Sequence, residues 1–178
     1  VVALLAGLST DRLRSISKLK FNDKFVQDAY NSLFQVPKPP ATPKVRVAQL
    51  DGAIVLDWGW DAAAVAATET DQAGFAFEGY NLYQLPSAEA SVSQGTKLAT
   101  FDRENGVATI VGPNLDEKSG VILDVPLQIG SDSGIRRFFR MTQDAIRSGP
   151  LVNGQQYYFA VTAAGWVVDG RASRNLDD

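Results

Sequence analysis

The sequence predicts an all-β domain with a helical segment in front of it. Two observations carry this. The apolar period changes from about 3.6 to 2 after the prolines at 37, 39, 40 and 43, and the dipeptides Asp51-Gly52, Asn105-Gly106 and Asn153-Gly154 part alternating runs as hairpin turns do. At 178 residues and 45% apolar composition, the chain is long enough for one well-cored domain plus an appendage.

Residues 1–36 read as the helical segment. Leu13, Ile16 and Leu19, then Phe21, Phe25, Ala29 and Leu33, recur at three- and four-residue steps over residues 11–34. Thr10 is the expected N-cap, and Asn22 with Asp23 is expected to break the helix in two. Phe21, Phe25, Val26, Ala29, Tyr30, Leu33 and Phe34 make a wide apolar stripe, and a helix this short is marginal in water without a surface to bury it. The segment is therefore expected to fold back on the domain. Residues 37–43 form a proline-rich, extended connector that excludes helix. The opening VVALLAGL is apolar for 8 residues, against the roughly 20 that cross a bilayer. No membrane insertion is expected, and the start at Val1 reads as a cut from a longer protein.

Residues 44–178 read as the β domain. Val45 and Val47 open it, and beyond Asp51-Gly52 the apolar set Ile54, Leu56, Trp58 and Trp60 alternates with Val55, Asp57 and Gly59. Residues 61–76 are alanine-rich without a clear period and read as a long loop with a short helix near 62–67. Strands are expected at 77–85 and 96–101. An inserted hairpin is expected around 102–134, where Val121, Leu123, Val125, Leu127 and Ile129 line one face and Pro126 demands an edge or a bulge. Further strands cover 137–142 and QYYFAVTAA at 156–164, while a last strand after Trp166 is poorly marked.

Composition excludes several chemistries. With 17 basic against 20 acidic residues and a net charge of -3, nucleic acid is not an expected partner. Histidine and cysteine are both absent, which removes the usual general base, thiolate and zinc ligands. No catalytic residue, metal site or cofactor is expected. The acid pairs Glu69 with Asp71 and Asp116 with Glu117 read as solvated loop charges, and the loops at 102–107 and 130–134 read as turns instead of calcium sites. The basic concentration at Arg136, Arg137 and Arg140 reads chiefly as a solvated strand face. The candidate binding residues are Trp60, Tyr83 and Trp166 as aromatic platforms, with Arg136 and Arg137 for an anionic ligand.

Three motifs resemble the fibronectin type III family. Ile54-x-Leu56-x-Trp58 is similar to its second strand, and FEGYNLY with Tyr80 and Leu82 to its third. Leu151 six residues before Tyr157, followed by Phe159, Val161 and Ala163, is similar to its sixth. The resemblance covers roughly residues 42–165 and implies an immunoglobulin-like Greek-key sandwich of seven strands. It also implies a core built on Trp58, Tyr80, Leu151, Tyr157, Phe159 and Val161, with the Tyr157 hydroxyl capping the incoming loop. Phrases such as GSDSGIRRFF and PLVNGQQYYFAVTA are similar to modules of large secreted or surface proteins of bacteria. That implies a non-catalytic spacer or docking module outside the cell, whose partners are neighbouring domains of the same chain. The alternative is a module binding polysaccharide or a surface protein, accessory to a glycoside hydrolase.

Overall fold

A computed structural model describes residues 5–31, 34, 39–71, 75–116 and 118–167; for Asp28, Trp166 and Val167 it describes the backbone alone. The described chain is mostly β, with ten strands in small antiparallel sheets behind one N-terminal helix.

Helix α1 spans Arg12–Asn31 without a break. Asn22 and Asp23 do not divide it, because their intrinsic cost within a helix is only tenths of a kcal/mol. Asn22 also finds a partner outside the helix, donating to the Ala6 carbonyl at 3.1 Å. The cap is Asp11, one residue later than expected: its Oδ1 accepts from the Arg14 N–H at 2.9 Å. The expected fold-back of the stripe is not what the structure has. Of the stripe, Phe25, Tyr30 and Phe34 are exposed and Phe21, Val26 and Ala29 half-buried, while Leu33 lies outside the described residues; toward the β domain, Arg14 donates to the Lys118 carbonyl. Phe21 and Phe25, and Tyr30 and Phe34, stack edge-on within the segment instead.

Strands β1 (Arg46–Leu50) and β2 (Ala53–Asp57) pair through the Asp51-Gly52 turn, where Gly52 sits at φ 60°. Only glycine and a few polar residues enter that region without strain. Helix α2 (Ala62–Glu69) follows and is longer than the sequence suggested. Asp61 caps it by accepting from the Ala63 and Ala64 N–H groups, and alanine gives the run high helix propensity.

Strands β3 (Phe75–Leu85) and β4 (Thr96–Asp102) form the next pair, after which β5 (Thr109–Leu115) and β6 (Ile122–Ile129) make a separate hairpin. A register shift beside the Val111↔Pro126 pair absorbs the proline. The apolar set at 121–129 stays largely exposed, with Leu123, Leu127 and Ile129 all open to solvent. Strand β7 (Phe138–Met141) joins β2, the short β8 (Gln143–Asp144) and β9 (Gly149–Pro150) pair with each other, and β10 (Tyr158–Val167) joins β3. The sheet orders are thus β1-β2-β7 and β10-β3-β4, with two two-stranded ribbons beside them.

Both three-stranded sheets feed one core. Leu56 and Trp58 come from the first, or from just beyond its edge, and Phe77, Tyr80, Leu82, Phe101 and Val161 from the second. The Trp58 ring lies 5.7 Å from that of Tyr80 and 5.9 Å from that of Phe101. Phe159 packs against this cluster from a half-buried position, and Leu151 is buried near the end of β9. Tyr157 is half-buried, and its hydroxyl accepts from the Val152 N–H at 2.8 Å. Gly79 lets β3 and β4 close: a Cβ there would run into the Phe101 backbone.

Candidate functional site

The five candidate binding residues do not converge. Tyr83 is half-buried in β3 between Ala160 and Lys97, and burial pushes its phenol up. Trp166 pairs with Ala76 at the far end of β10, and its side chain lies outside the described residues. Arg137 turns away from solvent toward α2. Its Nε and Nη2 donate to the two carboxylate oxygens of Glu69, both at 2.7 Å. Arg137 thus ties itself to Glu69 within the chain, with its side chain 42% exposed.

That tie is part of a network. The Tyr80 hydroxyl donates to Glu69 Oε1 at 2.7 Å, and Arg103 donates to the Glu69 carbonyl at 3.1 Å. Burial alone pushes the Glu69 carboxyl up, but the Arg137 and Tyr80 donors outweigh it and hold the group below its usual range. Burial and the neighbouring carboxylate push the Tyr80 phenol well up, so it remains a donor. Glu69, expected as a solvated loop charge, is largely enclosed instead, its side chain 18% exposed. Asp71 accepts from the Phe77 N–H at 3.0 Å and pairs with Arg103. Asp116 likewise closes its own turn, accepting from Ser119 Oγ at 2.6 Å; Glu117 lies outside the described residues.

Three buried acids went unremarked in the sequence: Glu78, which accepts from Asn105 Nδ2 at 3.1 Å, Asp102 and Asp144. Asp102, at the end of β4, is 1% exposed and accepts from the N–H groups of Ser131, Asp132 and Ser133 at 2.7, 3.0 and 3.3 Å. It fixes the return from the β5–β6 hairpin, so the GSDSG loop is a set of donors around a carboxylate. Asp144 accepts from Gln84 Nε2 at 2.8 Å and from the Ile146 and Arg147 N–H groups, both at 3.0 Å. At Asp102 and Asp144 burial pushes the carboxyl up and the donors more than reverse it.

One surface keeps its chemistry free. Alternation along β7 and the residues before it turns Arg137, Phe139 and Met141 inward and Arg136, Phe138 and Arg140 outward. Phe138 is 60% exposed, and neither Arg136 nor Arg140 has an acidic partner among the described residues. Phe138 pairs with Asp57, and Asp57 with Arg46, so one row crosses the outward face of the sheet. At the β1 end of that row stands Trp60, 42% exposed. Its Nε1 donates to the Lys44 carbonyl at 3.1 Å, and the Lys44 and Arg46 cations lie 4.6 and 5.6 Å from its ring centroid. Lys44 and Arg46 are themselves paired with Asp61 and Asp57. Sequence reasoning found Trp60 and Arg136 here but passed over Phe138; its signal was its place between two arginines in a strand of period 2.

A groove of about 950 Å³ opens elsewhere, between the β1–β2 hairpin and the start of β10, walled by Val47, Ile54, Val152, Phe159 and Val161. Among the described residues no helix is long and apolar enough to cross a membrane. Set beside protein-family models, curated proteins and solved structures, the chain gives no match in any of the three comparisons.

Proposed function

We propose that residues 44–178 are an immunoglobulin-like sandwich of the fibronectin type III kind. In this reading they serve as a non-catalytic spacer or docking module between domains of a larger extracellular bacterial protein. The strand order supports the fold. In such sandwiches strands A, B and E share one sheet and C and F the other, with an added C′ strand on the C side. Here β1-β2-β7 occupies the places of A, B and E, and β4-β3-β10 those of C′, C and F. The β5–β6 hairpin is an insertion between C′ and E. A seventh strand in that order belongs beside β10, and its place in the chain, after Val167, lies outside the described residues.

The observation that carries the functional half is the employment of three acids that are buried or partly buried. Glu69, Asp102 and Asp144 each accept several protein donors, which supports reading them as structural anchors with carboxyls held ionised. General acid–base work needs the opposite, a group poised near the working pH and within reach of the reacting proton. A screen of the purified chain against glycosides, esters and peptides is expected to be blank. Turnover that is abolished by Glu69→Gln or Asp102→Asn, with folding intact, would overturn the reading.

A further inference from the structure

We infer that the outward face of the β1-β2-β7 sheet is a docking surface for an acidic polysaccharide, reaching beyond the spacer role. Arg136 and Arg140 meet its carboxylate or sulfate groups, while Phe138 and Trp60 carry its sugar rings.

Charge complementarity is the first reason. Arg14, Arg46, Arg103, Arg137 and Arg147 are each neutralised by an aspartate or glutamate within the chain. Among the described residues Arg136 and Arg140 are not, nor is Arg12 on α1, although the chain as a whole is acidic, with a net charge of -3. Arg140 stands on β7 and Arg136 two residues before its start, both exposed. A guanidinium offers a planar fork that binds carboxylate or sulfate in two-point fashion.

The ring between them is the second reason. Charged residues on an edge strand are often only a guard against unwanted pairing. A guard has no use for an apolar ring, yet Phe138 stands 60% exposed between the two arginines. A flat phenyl flanked by cations suits a sugar ring that presents C–H bonds to the aromatic and anions to either side.

The third reason separates a polysaccharide from an acidic peptide. A peptide added as a strand would lie beyond β7, about 4.8 Å further out and away from β1. Trp60 is on the other side, against Arg46, and Arg46 is two strand spacings or about 10 Å from Phe138 across the row Phe138–Asp57–Arg46. Only a ligand lying across the face touches both aromatics. The acid in the middle of that path, Asp57, is bonded to Arg46 at 2.7 Å, so the path itself is close to neutral.

Affinity gel electrophoresis of the whole 178-residue chain tests this, with polygalacturonate, heparin, neutral dextran and polyglutamate as probes. Retardation is expected with polygalacturonate or heparin and not with dextran; which of the two acts more strongly identifies carboxylate or sulfate as the preferred group. The double variant R136A/R140A is expected to weaken binding about tenfold or more, since it removes two charged hydrogen-bonding groups. Phe138→Ala, at an exposed site that leaves the melting temperature unchanged, is expected to weaken it several-fold. Retardation by neither anionic polysaccharide overturns the proposal, as does binding that is unchanged in the double variant. Polyglutamate bound as tightly as the polysaccharides, with Phe138→Ala silent, would overturn it in favour of an acidic peptide or charge alone.

Discussion

Trp58→Ala is expected to destabilise the domain by about 3 to 5 kcal/mol, the range for removing a large buried aromatic. The side chain is 2% exposed and sits where the two sheets meet, touching Tyr80 from β3 and Phe101 from β4. Removing it leaves a cavity that both sheets would have to move to fill. Trp58→Phe is expected to cost much less. The indole Nε1 is buried without a hydrogen-bond partner, a debt of about 1 to 3 kcal/mol that phenylalanine does not carry. Urea denaturation of both variants checks the pair: a large fall for alanine with a small one for phenylalanine is the expected order. Equal midpoints for Trp58→Ala and the parent would show that the indole is not a core group.

Asp102→Ala comes next, with an expected loss of about 2 to 4 kcal/mol, because it strands the donors of Ser131, Asp132 and Ser133 in a half-buried loop. The same residue predicts the response to acid. Asp102, Asp144 and Glu69 all have carboxyls held below their usual values in the folded state. A lowered folded pKa contributes stability that is complete above the ordinary carboxylate value of about 4 and is lost as the pH falls through the folded value. Melting temperature is therefore expected to be level from about pH 7 to 5 and to fall steeply below about pH 4. Asp102→Ala should start lower and fall less, having one such group fewer. Acid profiles that run parallel in parent and variant would contradict the role given to this carboxylate.

Much of the β architecture was legible in the sequence, because period and turn chemistry are local properties. The Asp51-Gly52 hairpin, the strand at 96, the inserted hairpin and the strand through Phe159 and Val161 all announce themselves in this way. Helix propensity and capping, strand facing and tertiary context governed the rest. The residues at 61–69 lack an amphipathic period, yet alanine propensity and the Asp61 cap are enough to form α2. The α1 stripe was readable, but whether it is covered depends on surfaces that no period encodes. Arg136, Arg137 and Arg140 look alike in the sequence; strand facing separates them, sending the middle one to Glu69 and leaving the outer two in solvent. Asp102 was the least legible of all, since the donors that define it lie about thirty residues away, across the hairpin.

The account rests on two sheets closing over one aromatic core, and an aromatic NOESY spectrum tests that most directly. Cross-peaks are predicted from the Trp58 ring both to Tyr80 and to Phe101, whose centroids lie 5.7 and 5.9 Å away. Well-resolved Trp58 resonances with cross-peaks only to residues of β1, β2 and β7 would contradict it.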